Sequence, residues 1–408
     1  MRKMHEPTRV AITGLGAITP SGADAASTWE HLVAGRSGVT VVDEPWAADL
    51  PVRIAGQVAR GFEQSLSVRE LRRMDRAEQL ALIAGREAWS SAGRPEVEPD
   101  RVAVVVGTAI GGLGTTIEQQ HILETAGSRR VSPHTVTMMM ANGPAAWLSI
   151  DIHARGGART PVSACASGSE ALLVAREMIL AGGADVVLAG GTDACITGLT
   201  LGSLAQTRAL SRREGDPAAA SRPFDSARDG FVLGEGAALL VLEREDHARA
   251  RGATIHAFLE GAALTSDAYD IVAADPENQQ RTIELALRSS GLAASDIGLV
   301  HAHATSTPLG DLNESRAILG AIGSHAQVTS TKSMTGHLLG ASGALGALVT
   351  VFALEQGRVP PTINLDELDP EIGVDVVANT AHATAASAAL VNAFGFGGHN
   401  ASLVLTRA

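Results

Sequence analysis

The chain has 408 residues, of which 45% are hydrophobic and 19% charged, and its 32 Lys and Arg against 44 Asp and Glu give a formal net charge of −12. This composition excludes a disordered or collagen-like chain, and the acidic balance with few aromatic residues argues against nucleic-acid binding. The only two cysteines argue against a disulfide framework and predict a reducing compartment, the cytoplasm.

Neither a secretory leader nor a membrane span is predicted. No apolar segment precedes Val10, so the sequence shows no leader-like region at this end. The longest apolar run extends from Gly343 to Leu354 and is too short to cross a bilayer.

Short apolar runs alternate along the chain with longer segments of helical periodicity, a pattern typical of layered α/β proteins. Most of the apolar runs are nearly continuous, which indicates strands that are buried on both faces. The predicted strands are Arg9–Thr13, Val102–Gly107, Asp185–Ala189, Ala238–Glu243, Ile297–His301, Gln327–Ser330 and Ser402–Leu405. The predicted helices are Ala77–Ser91, Ser169–Leu180, Gln279–Ser290 and Leu309–Ile322.

The order of these elements indicates two similar halves. The predicted helix Ser169–Leu180 is apolar nearly all round, which is typical of a helix at the centre of a protein. The segment Ser211–Asp229 is polar, contains two prolines and is predicted to be a long loop. A second run of strand, helix and strand begins near Ala253. We therefore interpret residues 1–252 and 253–408 as two α/β halves related by pseudo-duplication.

The first candidate for chemistry is Cys165, which stands among small residues just before the predicted central helix. Free N–H groups and a partial positive charge at a helix N-terminus stabilise a thiolate. A thiol with a pKa near 8.5 is only about 3% ionised at pH 7, so a lower pKa would matter. On this segment alone, a nucleophile and an inert buried thiol fit equally well, whereas the inert interpretation is favoured for Cys195.

Histidines follow two of the predicted strands. His301 and His303 have the spacing of residues on one side of an extended strand. Lys332 and His337 follow the next strand and precede a helix of small residues. Two or three histidines could hold zinc, but the nearby lysine opposes a cation, so no metal is predicted. Isolated histidines are also common in protein cores, and His301 fits that description.

Two glycine-containing segments suggest ligand loops. The segment from Asn392 to Asn400 interleaves Gly with Phe, so its backbone N–H groups could approach a ligand while a ring acts as a lid; a packing turn fits equally well. No phosphate-loop lysine follows it, so a nucleotide site is not supported. Gly14-Leu-Gly16 resembles the start of a dinucleotide fingerprint, but Thr19 replaces the third glycine, and this match is weak.

Five ordered motifs give the chain a close resemblance to the β-ketoacyl-[acyl-carrier-protein] synthases, the condensing enzymes that elongate fatty acids and belong to the thiolase-like superfamily. The resemblance extends from Val10 to Leu405. It implies an α/β thiolase fold, in which two pseudo-duplicated halves form a layered α-β-α-β-α architecture. The motifs are Val162–Gly168, Ser221–Gly236, Ala302–Thr307, Lys332–His337 and Phe394–Gly398.

This resemblance implies a catalytic role for four residues. Cys165 matches the nucleophile that accepts the acyl group. His303 and His337 match the pair that handles malonyl decarboxylation and condensation, and Lys332 matches the residue that supports the pair electrostatically. The implied activity is that of an acyltransferase, which joins the acyl group on the cysteine to malonyl-carrier protein by a decarboxylative Claisen condensation.

The resemblance also implies the residues that bind the substrate. The backbone N–H groups of Cys165 and Phe396 would form the oxyanion hole, with Phe396 as a gate. Thr305 and Thr307 match threonines that hydrogen-bond the phosphopantetheine arm. Ile110, together with Phe396, matches the residues of the acyl pocket. The substrates are carried on the phosphopantetheine of acyl carrier protein, and no further cofactor is implied.

Two kinds of protein partner are expected. The resemblance implies a dimer, either a homodimer or a heterodimer with a ketosynthase-like partner. The spacing of Arg69, Arg72, Arg73 and Arg76 predicts one face of a helix and a local positive patch, which we interpret as a docking site for the acidic carrier protein. A solvated helix face is the alternative. Arg208 matches a further docking position of the family.

Two residues depart from the family pattern. Ala304 replaces the glycine that usually follows the first catalytic histidine. Gly346 stands where the helix after His337 normally carries a glutamate of a cation-binding network, so a bound monovalent cation is left open. Gly346 is interpreted as an adaptation that removes a buried charge or provides space beneath the histidines, or as the mark of a degraded subunit.

These departures keep three alternatives open. The first is a ketosynthase subunit of a type II polyketide or polyene synthase that works with a chain-length-factor partner. The second is a non-catalytic partner subunit, which the presence of Cys165 and both histidines opposes. The third is a Cys-His thioester hydrolase, which would release free acid without forming a carbon–carbon bond.

Overall fold

The computed structural model describes residues 8–408, and within this range it has fifteen strands and thirteen α-helices. The leader prediction partly concerns residues 1–7, which lie outside the described residues. The strands are β1 (Val10–Ile18), β2 (Val39–Val41), β3 (Ile54–Gly56), β4 (Val102–Gly107), β5 (Ala158–Arg159), β6 (Val186–Asp193), β7 (Gly236–Arg244), β8 (Ala257–Ser266), β9 (Ile297–His301), β10 (Gln327–Thr329), β11 (Arg358–Val359), β12 (Asp375–Val376), β13 (His382–Ala383), β14 (Ala388–Gly395) and β15 (His399–Arg407). The helices are α1 (Ala25–Val33), α2 (Val68–Leu71), α3 (Arg76–Ser91), α4 (Leu113–Ala126), α5 (Thr135–Met139), α6 (Gly143–Asp151), α7 (Ser167–Leu180), α8 (Gly198–Gln206), α9 (Glu245–Ala250), α10 (Pro276–Ser290), α11 (Pro308–Ile322), α12 (Lys332–Thr335) and α13 (Ser342–Gln356).

Eleven strands form one mixed sheet in the order β12-β10-β9-β14-β15-β8-β1-β7-β6-β4-β5. The order β5-β4-β6-β7-β1 in the first half matches β10-β9-β14-β15-β8 in the second, with the same sequence of parallel and antiparallel pairs. The halves join where Ala11 and Ile12 pair with Phe258 and Ala257. This repeat confirms the pseudo-duplicated α/β fold; the boundary between residues 252 and 253 stays a prediction.

Two matching helices lie between the halves. The helix α7 precedes β6 and α13 precedes β14, and each packs on the other and on strands of both halves. Their apolar side chains belong to the largest hydrophobic cluster of the described chain. By length and composition, Leu339–Gln356 would suffice to cross a membrane, contrary to the sequence-based expectation, but 83% of this segment is buried inside the protein as a core helix would be.

The glycines Gly14 and Gly16 have a packing role inside β1. A Cβ on Gly16 would lie 2.0 Å from the carbonyl oxygen of Ala84, and one on Gly14 would lie 2.3 Å from that of Ala88. Both carbonyls belong to α3, which packs directly on β1. The glycines therefore let this helix approach the sheet closely.

The predicted arginine face is not a single helix. The helix α2 ends at Leu71, and α3 begins only at Arg76. The cause is capping: the Asp75 side chain accepts a hydrogen bond from the backbone N–H of Ala77 and starts a new helix there. Arg76 pairs with buried Glu235 at 2.6 Å. The expectation that Arg69, Arg72, Arg73 and Arg76 share one face of a single helix was wrong.

The glycine-rich segment before the C-terminus is a hairpin. Residues predicted as a loop from Asn392 onward continue β14 as far as Gly395, and β15 begins at His399. Only Phe396, Gly397 and Gly398 form the turn, and both glycines have positive φ angles. The predicted loop Ser211–Asp229, in contrast, contains only a single turn of 3-10 helix, Pro217–Ala219.

Candidate active site

Cys165 lies in a 3-10 turn, Ala164–Ala166, that leads directly into α7. Ala164 has a φ angle of +50°, a conformation that costs a non-glycine residue free energy and that is often found at functional sites. The Ser167 hydroxyl fixes this turn, since it donates to a carbonyl oxygen and accepts from the backbone N–H of Ser163. The turn therefore holds the thiol at the start of the central helix, as predicted.

The second half of the chain brings two histidines to this thiol. His337 Nε2 lies 2.9 Å from Cys165 Sγ, and its Nδ1 lies 2.9 Å from Ser342 Oγ, which orients the ring. The ring of His303 stands edge-on to that of His337, with the two centroids 5.4 Å apart. His303 Nδ1 is buried and has no hydrogen-bond partner in the described chain. The three side chains thus surround one small volume.

The protonation states differ from the sequence-based expectation. Burial raises the pKa of the Cys165 thiol to about 11, although Lys332 and the backbone N–H groups of Phe396 and Cys165 act in the opposite direction. The expectation that the helix N-terminus keeps Cys165 as a thiolate at rest is therefore wrong, and the resting group is a neutral thiol. Burial, together with Lys332, holds the pKa values of His303 and His337 well below 6.5. A neutral His337 next to a neutral thiol can accept its proton.

Lys332 is the buried cation of the site. Its ammonium group donates a hydrogen bond to the carbonyl oxygen of His303. Burial lowers the pKa of Lys332 to about 8, and Glu314 and Cys165 partly offset this effect. The lysine remains mostly charged at neutral pH, and its charge lies next to both histidines without entering the cavity that they line.

Two buried carboxyl groups that the sequence analysis did not assign hold the backbone beneath the histidines. Glu314 accepts hydrogen bonds from the backbone N–H groups of His303 and Ala304 at 2.8 and 2.6 Å, and from the Asn392 amide at 3.1 Å. Asp311 accepts from the backbone N–H of Ser306 at 3.1 Å. The spacing of Asp311 and Glu314, one turn apart on a helix after a histidine segment, was the available signal.

The turn after β14 supplies a backbone N–H donor that could bind an anion next to Cys165. The backbone N–H groups of Phe396 and Cys165 both point at Sγ. Gly395 makes this approach possible, because a Cβ there would lie 2.6 Å from the carbonyl oxygen of Ser163 and 3.1 Å from the nitrogen of Cys165. Two N–H donors next to a nucleophile are the arrangement that stabilises an oxyanion in acyl transfer.

A cavity of about 680 Å³ opens from the thiol to the surface and brings most of the predicted site residues together. The side chains of Ile110 and Phe396, which are 43% and 45% exposed, form part of its wall. Arg69, Arg72 and Arg73 do not line it, and Cys195 is fully buried outside it. The predicted residues that do line it are Ile110, Cys165, Arg208, His303, Thr305, Thr307, His337 and Phe396.

His301 and Gly346 occupy the space beneath the other two histidines, His303 and His337. The imidazole of His301 is buried, and its Nε2 lies 3.0 Å from Thr331 Oγ1. A Cβ on Gly346 would lie only 2.8 Å from His301 Nδ1. Gly346 therefore does not leave free space below the site, as one interpretation held, because the His301 ring fills it.

Cys165, His303 and His337 also have the geometry of a metal site, with one potential ligand atom from each lying within 4.8 Å of the others. A thiolate and two imidazoles suit zinc. The buried ammonium of Lys332 opposes a cation here. The same three side chains line the cavity.

The fold and this geometry define a thiolase-fold acyltransferase with a cysteine and two histidines in its cavity. Residues 7–248 match the model of the Beta-ketoacyl synthase N-terminal domain, and residues 256–366 match that of its C-terminal domain. The chain belongs to the β-ketoacyl synthase family.

Relatives of full length support this assignment. The chain is 44% identical over 411 residues to 3-oxoacyl-[acyl-carrier-protein] synthase 2 of Synechocystis, covering 98% of this chain and 99% of the relative. It is 43% identical over 404 residues to the protein of the same name in Mycobacterium tuberculosis, covering 98% and 97%.

Solved structures show the same fold. A β-ketoacyl synthase from Burkholderia phymatum is 36% identical, with a TM-score of 0.92 and coverage of 98% of this chain and 100% of that one. A type II polyketide ketosynthase solved in complex with its acyl carrier protein is 31% identical, with a TM-score of 0.89 and coverage of 99% and 100%.

Proposed function

We propose that the protein is a 3-oxoacyl-[acyl-carrier-protein] synthase that elongates acyl chains by decarboxylative condensation with malonyl-carrier protein. The observation that carries this proposal is the 2.9 Å contact between His337 Nε2 and Cys165 Sγ, with two backbone N–H groups at the same sulfur. The thiol, its base and the oxyanion donors are the components of covalent acyl transfer.

In the first half-reaction, an acyl thioester on the carrier protein is transferred to Cys165. The thiol gives its proton to neutral His337 as sulfur attacks the thioester carbonyl carbon. The N–H groups of Cys165 and Phe396 stabilise the oxyanion. The carrier's sulfur leaves with the proton that His337 holds, so that one thioester bond forms as another breaks.

In the second half-reaction, malonyl-carrier protein occupies the emptied cavity. His303 and His337 donate hydrogen bonds to its thioester oxygen while the carbon–carbon bond to the carboxylate breaks and carbon dioxide leaves. For this step His337 is the neutral tautomer with its proton on Nε2, and its Nδ1 accepts a hydrogen bond from the Ser342 hydroxyl. The resulting enolate attacks the acyl carbon on Cys165, and the thiolate of Cys165 departs. This thiolate takes up one proton from solvent, so that one proton is consumed for each carbon dioxide released. The Lys332 ammonium stabilises the negative charge that develops between the histidines.

We propose that acyl carrier protein docks beside the cavity mouth on a positive surface that includes Arg69, Arg72, Arg73 and Arg208. Arg69 and Arg72 are exposed, Arg73 is half-buried, and Arg208 lines the cavity. Arg76 is excluded from this surface by its pairing with Glu235. The related polyketide ketosynthase was solved with its carrier protein, which supports a carrier-protein partner for this chain.

We propose that the protein works as a homodimer. The strand β5 lies at one end of the large sheet, and both of its residues are exposed. Large apolar side chains are also exposed just after β5, on α6, which packs on β5, and on α5, which packs on α6. These side chains are Val162, Ile150 and Val136, which are 55%, 64% and 66% exposed. A partner subunit that covers this face and half-exposed Ile110 would complete the acyl pocket. A heterodimer with a chain-length factor is the alternative, because an ishigamide ketosynthase/chain length factor has a TM-score of 0.92 to this chain.

We further propose that the protein uses no cofactor beyond the carrier's phosphopantetheine and is cytoplasmic. Acyl transfer, decarboxylation and condensation balance without a redox group, and the free thiols of Cys165 and Cys195 favour a reducing compartment.

Reconstitution tests the proposed activity. The purified protein, acyl-carrier protein and malonyl-carrier protein are expected to give β-ketoacyl-carrier protein and carbon dioxide in equal amounts. Release of free acid without carbon dioxide would instead support a thioester hydrolase. Activity that appears only after addition of a homologous subunit would support the polyketide alternative.

A further inference from the structure

Two buried carboxamides line the wall of the active-site cavity. Gln279 lies in the first turn of α10 and Asn313 in the second turn of α11; they are 2% and 6% exposed. Both belong to the lining of the cavity. Gln279 Oε1 is buried and has no hydrogen-bond partner in the part of the chain that the structure describes.

An unpartnered carboxamide in a protein interior is unfavourable unless something completes its hydrogen bonds. The neighbouring residue shows the usual arrangement: the Gln280 amide donates to Glu284 Oε1 at 2.9 Å, and its side chain packs against Gly320. The same residue type is thus satisfied on the side of α10 that packs against α11 and unsatisfied where it meets the cavity. This contrast points to a ligand group at Gln279.

The surrounding wall indicates which part of the substrate lies there. Asn313 is one helical turn from Gly310, so both share a face of α11. A Cβ on Gly310 would lie 2.4 Å from Thr307 Oγ1 and 3.8 Å from Thr305 Oγ1. A wall of polar groups therefore continues from the threonines along α11, whereas an unsubstituted acyl chain has no group to pair with them. Carboxamides both donate and accept, which suits secondary amides.

We infer that Gln279 and Asn313 form an amide-binding subsite for the phosphopantetheine arm, in addition to the two threonines. This inference rests on the proposed function, because it takes a carrier-bound thioester as the substrate. Gln279 and Asn313 hydrogen-bond one of the two amides of the arm and do not take part in the chemistry. They set the KM for the arm and leave the turnover of bound substrate largely unchanged.

The test combines Gln279→Met with substrate analogues. Enzyme acylated on Cys165 is given malonyl-pantetheine or either of two analogues in which one amide is replaced by an ester. Gln279→Met is expected to raise the KM for malonyl-pantetheine about 5- to 10-fold, the effect of one neutral hydrogen bond. With one of the two ester analogues the variant and the native enzyme should differ less than twofold, because that hydrogen bond is already missing. Asn313→Leu should also raise the KM for malonyl-pantetheine, and its difference from the native enzyme should disappear with the same ester analogue.

Gln280→Met is the matched control, since it makes the same change one residue along and outside the cavity; its KM values should equal those of the native enzyme. Gln279→Met removes an unpartnered polar group, so its melting temperature should not fall. A loss of equal size with all three substrates, or a loss only for acyl groups that carry a chain oxygen, would overturn the inference. If the native enzyme condenses none of these substrates, it is the proposed function that fails.

Discussion

Gly346 lies directly against the imidazole of His301, so that a Cβ at position 346 would come within 2.8 Å of Nδ1. Every residue of α13 around this glycine is buried, and the helix cannot move away without disturbing the core between the two halves. The glycine is therefore matched to the histidine beneath the active site. A glycine within a helix costs about 1 kcal/mol relative to alanine, and this contact explains why it is present.

This contact predicts that Gly346→Ala changes the free energy of unfolding in opposite directions in the native protein and in a His301→Ala background. In the native protein, Gly346→Ala should lower the free energy of unfolding by about 1–3 kcal/mol, because the added methyl group overpacks the core. In a His301→Ala background the same substitution should raise it by about 1 kcal/mol, as expected for alanine in a helix. Urea denaturation of the four proteins measures both effects. An equal loss in both backgrounds would show that His301 is not the reason for the glycine.

Gly346 also bears on cations. The Glu that the resemblance places here belongs to a polar, cation-binding network, and Gly346 offers no carboxylate to it. Condensing activity should therefore be the same, within about twofold, in sodium, potassium and tetramethylammonium buffers of equal ionic strength. Gly346→Glu should reduce activity, since its side chain would collide with His301. A gain in activity would mean that the native site is impaired.

The charge on Lys332 should set an alkaline limit for decarboxylation. Its pKa is lowered to about 8, so the ammonium form prevails below that pH and is lost as the pH rises through it. A Cys165→Gln variant removes the titrating thiol but keeps both histidines. Its malonyl decarboxylation should fall between pH 7.5 and 9.

The matched control adds Lys332→Met to this variant. Its rate should be about 10-fold lower or more at pH 7, and flat between pH 7.5 and 9, because no ammonium remains to be lost. A decline of the same size in the control would assign the alkaline limit to another group.

The oxyanion donors depend on Gly395. A methyl group there would push against the carbonyl oxygen of Ser163 and the nitrogen of Cys165. Gly395→Ala should thus lower kcat by about 100-fold, the effect of losing one oxyanion donor, with little change in KM. Gly202→Ala is a control, since a Cβ at this position in α8 meets nothing closer than 3.7 Å. A stopped-flow measurement of Cys165 acylation would reveal the difference, and a normal acylation rate in Gly395→Ala would contradict the assignment.

Reversal of charge at the proposed docking surface should act through association. Arg72→Glu with Arg73→Glu is expected to raise the KM for acyl-carrier protein at least 5-fold at low salt, and the effect should shrink at 0.5 M salt. Turnover of acyl-pantetheine, which lacks the carrier protein, should not change. Arg288→Glu, exposed at the far end of α10, is the control. An unchanged KM at low salt would place the docking surface elsewhere.

Arg76 should behave differently from these arginines. Its side chain pairs with Glu235, which is only 3% exposed, so Arg76→Ala leaves a buried carboxylate that keeps the backbone N–H of Val58 but loses its cation. We expect a loss of about 3 kcal/mol in the free energy of unfolding and no specific effect on carrier-protein KM. A rise in KM without a loss of stability would return Arg76 to the docking surface.

The comparison of sequence with structure shows what local patterns reveal. The strands Val102–Gly107 and Ile297–His301 were predicted with their observed bounds, because continuous apolar runs mark buried parallel strands. The grouping of Cys165, His303, His337 and Lys332 followed from motifs and is reproduced by the fold.

The expectations that were wrong concerned properties that are set by contacts between residues far apart in the sequence. The protonation of Cys165 is set by burial in the assembled core, which no segment reveals. The contact of Gly346 with His301 and the pairing of Arg76 with Glu235 join residues 45 and 159 positions apart. The capping of α3 by Asp75 was readable from the sequence, since Glu78 completes the capping box three residues later.

The central claim is that Cys165 carries the acyl group with His337 as its base. The most direct measurement is intact-protein and peptide mass spectrometry after incubation with acyl-carrier protein, followed by addition of malonyl-carrier protein. The account predicts one acyl group per chain, located on Cys165, absent in Cys165→Ala, formed much more slowly in His337→Ala, and discharged as β-ketoacyl-carrier protein when malonyl-carrier protein is added. An acyl group on Cys195, or one that persists in Cys165→Ala, would contradict it.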